Sequence, residues 1–468
     1  MQANPNLGWL MAKGRRQQTG QALLYGLFML IAGLAALFFL FNVSQLTREK
    51  TKLVNTSDAV AYSAGVMHAR AMNFASYTNR ALVADEVAIA QMVSLASWGK
   101  YLLEHGESAL GLGCDPALYY GIFNEPAAEG MFVYAPICVA LGYAYTYNGL
   151  DYANDAIQVI GQAVVLASEA SKAALQTSQV VLMGTLYGAR KSVMQDVANA
   201  NYQGDGEIKV DATPLRDTFY AFHGKPMMYY YAGDERTRMR DLVVGVVKKD
   251  GFTPERNWSD QAAIPEASCL MLGVYRNHVD RSGGTQLIGF DQWQAQDQAS
   301  YYRWRLKVPK LPRLPYCGQS AQSLGTGSQS ASAGGSTSSS SDDWYYTGIP
   351  SYAELSEDAL GDPDPRAQFV VRVLRENTQT LTSDARSEIK VTPRLNAYHN
   401  AVPVDGGVGE RMYVGLSASE TFFERPVGRD DRRKELASLF NPYWQTHLME
   451  VPADVRAAAQ ALQGAVSP

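Results

Sequence analysis

A chain of 468 residues exceeds one ordinary hydrophobic core and points to two or three folded units. Apolar residues make up 46% and charged residues only 19%, so most of the chain folds. A net charge of −5 with a pI near 5.8 excludes a nucleic-acid binder that works through a general basic surface.

The first 21 residues form a short basic tail, with Lys13, Arg15 and Arg16 and no acidic residue. Residues 22–41 (ALLYGLFMLIAGLAALFFLF) carry neither charge nor proline. As a helix they would span roughly 30 Å, the thickness of a bilayer's hydrocarbon layer. A cleaved signal peptide would have a shorter apolar core and a small-residue cleavage site. Here the apolar run passes directly into Asn42–Thr47 and a helical stretch, which favours an uncleaved anchor. Arg48, Lys50 and Lys52 follow the span, so the positive-inside count nearly ties. The short acid-free tail and the cysteine usage tip the orientation to an N-terminus inside, with residues 42–468 outside the cytoplasm.

Residues 42–202 read as a helical stalk. Val43 to Leu103 lacks proline, and Val60, Met67, Phe74, Ala81, Ala88 and Leu95 recur every seven residues, the mark of a helix-packing seam. A companion seam of Ala64, Ala71 and Thr78 is small and breaks at Asp85. A second run, Tyr152 to Ala200, carries the stripe Ile160, Ala163, Ala167, Ala170, Ala174, Thr177 and Val181. Small residues let two backbones approach, so the two runs are expected to pack as an antiparallel pair through these stripes. Between them, residues 106–150 form a loop rich in Gly, Pro and Tyr.

Beyond the stalk, residues 203–317 and 344–468 read as two parts of a β-rich domain. Leu242–Val247, Cys269–Tyr275, Phe369–Val373 and Met412–Leu416 are apolar, Val- and Tyr-enriched runs that predict strands. The Ser/Gly-rich stretch 318–343 has no large apolar side chain before Trp344 except Leu324, and is expected to be flexible and dispensable. A short Ala-rich helix is predicted near Asp454–Leu462. The fold class is α+β: a transmembrane helix continuing into an antiparallel helical pair, then a β-rich extracytoplasmic domain.

Four cysteines, Cys114, Cys138, Cys269 and Cys317, suit an oxidising compartment. They allow three pairings; joining sequence neighbours closes the shortest loops. No C-x-x-C spacing and no accompanying His pair suggests zinc. The sequence holds no G-x-x-x-x-G-K-[ST] loop, no H-E-x-x-H helix and no G-x-S-x-G elbow. His68, His105, His223, His278, His399 and His447 are scattered without metal-ligand spacing. The expectation is therefore no enzyme, no catalytic, metal or cofactor-binding residue, and no cofactor.

The N-terminal region resembles the Tad-type (tight adherence, Flp pilus) TadE/TadG-like assembly proteins. The resemblance is carried by Arg15-Arg16, by Gln18-Thr19-Gly20-Gln21-Ala22-Leu23, by the apolar span, by Leu46–Asn55 and by Thr56–Ala64. Leu439-Phe440-Asn441-Pro442-Tyr443-Trp444-Gln445 is similar to a C-terminal signature of larger members. Pilin-like members have a Glu five residues after the processing glycine, where this chain has Tyr25, and the D-x-S-x-S metal motif of some TadG-like proteins is missing. The resemblance implies an inner-membrane, structural component of pilus biogenesis or secretion, in contact with other machinery proteins and not with nucleic acid. It leaves open a homo- or hetero-oligomer through the stalk. The alternative is an anchored periplasmic adhesion or ligand-binding module.

Overall fold

The computed structural model describes residues 21–107, 149–211, 213–265, 269, 276–310, 313–376, 402–403 and 411–462. Cys114, Cys138, His399 and most of the 106–150 loop lie outside them.

One helix, α1 (Gln21–Glu107), organises the molecule. Its 87 residues extend roughly 130 Å. From residue 22 to 41 every side chain is exposed, Phe28 by 68% and Phe39 by 65%. This segment is long and apolar enough to cross a membrane. Burial begins at Leu46 and Leu53 and continues to Tyr101. The second long helix, α2 (Asp151–Asn201), lies against that buried part. Tyr202 meets Glu49, Arg190 meets His68, Lys172 meets Glu86 and Gln158 meets Ala96, so the two helices run in opposite directions.

The strands wrap the same helix. A six-stranded antiparallel sheet contains β1 (Lys209–Val210), β2 (Arg216–Asp217), β10 (Ala367–Glu376), β11 (Val402–Pro403), β12 (Arg411–Phe423) and β13 (Trp444–Met449). It meets α1 through buried apolar residues, Phe369, Val371 and Val373 against Leu53, Val60 and Ala61, and through short hydroxyl side chains at every second position of β12, the period of a strand face. Ser417 donates to Asp58 at 2.6 Å, Ser419 to the Ala61 carbonyl at 2.6 Å and Thr421 to the Gly65 carbonyl at 3.2 Å. A five-stranded sheet, β4 (Trp258–Pro265), β5 (Arg276–Ile288), β6 (Gln292–Lys307), β7 (Tyr316–Ser332) and β8 (Asp343–Tyr345), covers the far end of α1. Between the sheets sit a two-stranded ribbon of β3 (Met228–Tyr231) and β9 (Tyr352–Leu355), and helix α3 (Thr237–Val247). A 3-10 turn (Gly233–Arg236) and the short helices α4 (Glu357–Gly361) and α5 (Ala453–Leu462) complete the described elements.

Two expectations need correction here. Residues 318–332 of the Ser/Gly-rich stretch are strand β7, paired with β6 along its length. The register shifts between Ala299 and Ser300, where Leu324 is the extra residue on β7. Beyond this bulge Gln329 and Ala331 are buried and Gly325 and Gly327 lie on the backbone of α1. A Cβ on Gly327 would collide with the Ser97 carbonyl, and one on Gly325 would come within 2.7 Å of the His105 nitrogen. Small residues here are what allow a strand to lie directly on a helix. The second correction is Leu242–Val247, which belongs to α3 and not to a strand. Its buried residues, Met239, Val243 and Val247, are spaced by four, the helical period. Phe369–Val373 and Met412–Leu416 lie in β10 and β12 as predicted.

Candidate functional site

The seam residues are not brought together as one buried face. Val60 is fully buried, Met67, Ala81, Ala88 and Leu95 are half-buried, and Phe74 is 40% exposed. The companion seam of Ala64, Ala71 and Thr78 is the buried one. The α2 stripe is reversed outright: Ile160, Ala163, Ala167, Ala170, Ala174, Thr177 and Val181 are all exposed. The buried face of α2 is instead Gln158, Gly161, Gln162, Val165, Ser168 and Glu169, continuing through Lys172, Gln179 and Arg190. Polar side chains fill it because their partners stand on α1 and the strands. Cys269 and Cys317 are disulfide-bonded, with Cα atoms 5.9 Å apart.

What the structure assembles is a series of buried polar joints spaced along α1. Nearest the apolar segment, Glu49 accepts from Tyr202 at 3.1 Å and pairs with Arg375 at 2.5 Å. Burial, then the Glu49 charge, pushes the Tyr202 hydroxyl's pKa up. At the next joint, Arg190 pairs with Asp217 at 2.6 Å and donates to His68 Nε2 at 2.8 Å. The His68 ring stacks on Phe219 at 4.1 Å. Burial, and then the Arg190 charge, hold His68 well below its usual range, so it is the neutral acceptor of that bond.

In the middle, Asn79 donates to the carbonyls of Ala353 and Leu439 at 2.7 and 2.6 Å, while Gln179 donates to Thr78 and Asn79 at 2.6 and 2.8 Å. Leu439 is the first residue of the C-terminal signature, and Asn73 and Arg80 bond the backbone of Trp444 and Phe440 in the same segment. The similarity noted in sequence thus falls on a segment docked against α1.

The fourth joint is the most completely enclosed. Lys172 Nζ lies 2.7 Å from Glu86 and 2.7 Å from Glu169, and donates to the Gly348 carbonyl at 2.8 Å. Tyr346 and Trp293 donate to the other Glu86 oxygen at 2.8 and 3.1 Å. Burial raises the Glu86 carboxyl, against the pull of Lys172. At the last joint Arg256 grips Asp297 with two hydrogen bonds at 2.7 and 2.8 Å, and Ser97 adds a third at 2.7 Å. Fork-on-carboxylate contacts of this kind fix geometry as well as charge.

These groups are buried or nearly so, and each acid already holds protein donors, so the arrangement joins α1 to the elements around it. Among the described residues no group of three or more His, Cys, Asp or Glu is placed to hold a metal ion. A shallow cavity of about 540 Å³ over β5–β7 is lined mainly by amide and hydroxyl side chains, Asn257, Gln286, Gln294, Gln296 and Ser328 among them, with Asp297 the one charged residue in its lining. The joints were missed in the sequence because charged residues scattered along a chain read as solvated. One signal was there: between Asp155 and Arg190 the only charges on α2 are Glu169 and Lys172, three residues apart in an otherwise uncharged stretch of the helix.

Residues 20–71 match the family model Tad, putative Flp pilus-assembly TadE/G-like. No curated protein and no solved structure matches the chain. The Tad match starts just before the apolar segment and ends at Ala71, inside the buried part of α1. It therefore covers the candidate span and the first two joint residues, Glu49 and His68, while the strands that grip them lie outside it.

Proposed function

We propose that this chain is a membrane-anchored structural component of a Tad/Flp-type pilus or secretion apparatus, with residues 42–468 forming a periplasmic scaffold on the inner membrane. The observation that carries the reading is the single helix α1. Its first part is apolar and bare, its next part is core, and the Tad match bridges the two. The Cys269–Cys317 bond suits an oxidising compartment. Lys52 pairs with Asp205, which leaves the flank after the span less positive than its count and favours an N-terminus inside. The enclosed joints favour a scaffold over a catalyst, since rigid positioning is what they supply. Its partners are then the inner membrane and other machinery proteins.

The test is a deletion strain scored for surface pili and adhesion. The full chain should restore both, and a chain lacking residues 22–41 should restore neither. Normal pili in the deletion strain would sink the reading. The polar cavity over β5–β7, lined mainly by amide and hydroxyl side chains, supports the alternative, an anchored adhesion or ligand-binding module. Under that alternative, pili would form without the chain and only attachment would fail.

A further inference from the structure

The outward face of α2 is inverted relative to an ordinary surface helix. Over residues 156–189 the only charged side chains, Glu169 and Lys172, point inward and are 6% and 1% exposed. The face left to solvent carries no charge for roughly 50 Å. Val159, Ile160, Val180 and Val181 on it are 52–60% exposed, and Tyr187 is 48% exposed. The outer face of a helix on a globular domain is normally charged, and an apolar strip of this length marks an interaction surface. Its residues also keep a strict alternation of three and four from Ile160 to Val181, continued by Gly184 and Gly188. That is the spacing of a knobs-into-holes seam, and a Cβ added at either glycine would meet nothing within 4 Å.

We propose that this face docks against the same face of a second copy of the chain, the two α2 helices lying parallel and in register about a two-fold axis normal to the membrane. The proposal rests on the anchoring reading above, because anchoring through α1 points every copy the same way. In a parallel, in-register contact each residue meets its own counterpart, so any charge in the strip would meet a like charge. A face with no charge is the composition such a contact tolerates, whereas an unlike partner helix would be selected through charges at the flanking positions. The flanks here, such as Val159, Ala173, Val180 and Ser178, carry none. A contact roughly 50 Å long and about 10 Å wide buries on the order of 1,000 Å² in total, the lower edge of a specific interface. Confinement to one membrane raises the effective concentration enough for that edge to suffice.

The test uses full-length chains in their native membrane, each with one added cysteine: Ala163→Cys, Val181→Cys, or the exposed off-strip control Ser340→Cys. Mild oxidation should give a disulfide-linked dimer at both 163 and 181, severalfold above the control. An antiparallel contact would place residue 163 near 181 of the other copy and give neither homodimer. The second arm puts Ala170→Glu or Ala170→Lys into the Val181→Cys chain. Each alone should abolish the dimer band while leaving the melting temperature unchanged, since Ala170 is exposed, and co-expressing the two should restore it as a mixed dimer. Monomer at both positions, or crosslinks only to another protein or within the chain, would overturn the proposal. The same membranes are washed at alkaline pH: a retained but monomeric chain refutes the dimer alone, whereas a released chain refutes the anchoring reading.

Discussion

Lys172 is the residue on which most depends. It is 1% exposed and is the cation shared by two buried carboxylates, Glu86 and Glu169. Removing one partner of such a group leaves the others uncompensated, so Lys172→Met should destabilise the fold by about 3–5 kcal/mol in a denaturant titration. A loss under about 1 kcal/mol would mean the joint is ornamental. His68 gives a pH signature. The native chain keeps it neutral, while in the unfolded chain it titrates near 6.5. As pH falls through about 6.5 the unfolded state takes up a proton that the native state refuses, so this part of the stability is present above that value and lost below it. Glu86 and Glu354, both raised by burial, act with the opposite sign: stability falls as pH rises above the usual carboxylate range. Comparing native chain with His68→Gln isolates the histidine. The drop in melting temperature between about pH 7.5 and about pH 5.5 should shrink in the variant. An unchanged drop would assign the effect to other groups. Phe74, 40% exposed, should cost far less on truncation to Ala than the roughly 3–5 kcal/mol of a buried Phe.

At the scale of elements, helices were the legible part. The runs Val43–Leu103 and Tyr152–Ala200 lie inside α1 and α2, the second almost end to end and the first continuous with the apolar segment before it, because proline-free, Ala-rich stretches of that length leave little else. Their faces were not legible. Apolar periodicity located a stripe on α2 that the fold turns outward, since the inward positions are taken by Glu169, Lys172 and Arg190, whose partners lie up to 178 residues away in sequence. Long-range pairing leaves little local trace beyond the isolated Glu169 and Lys172 charges. Strand β7 was illegible for the converse reason: Gly and Ser at close-approach positions look like a linker. Deleting residues 318–343, which sequence alone makes dispensable, removes β7 and should unfold the five-stranded sheet; retention of full far-ultraviolet β signal would contradict this. Gly327→Ala should cost about 1–3 kcal/mol, as its methyl meets helix backbone that cannot yield.

For the whole molecule, composition and the apolar run were enough to read α+β class and one candidate span, and the residues around that span were enough to suggest a Tad-type segment. The match over residues 20–71 agrees with the second of these. The wrapping of two sheets around one helix had no such signal, because its contacts join residues far apart in sequence, among them the hydroxyls of Ser419 and Thr421 that reach α1 carbonyls. The account's central claim is that α1 divides near residue 42 into an anchor that adds nothing to the fold and a core that needs no membrane. The most direct measurement is alkaline extraction of membranes bearing the full chain or residues 42–468, followed by thermal melting of what is released. The account predicts that the full chain stays with the membrane, while 42–468 is released, folded and cooperative in melting. A full chain washed free, or a released 42–468 without a cooperative transition, would contradict it.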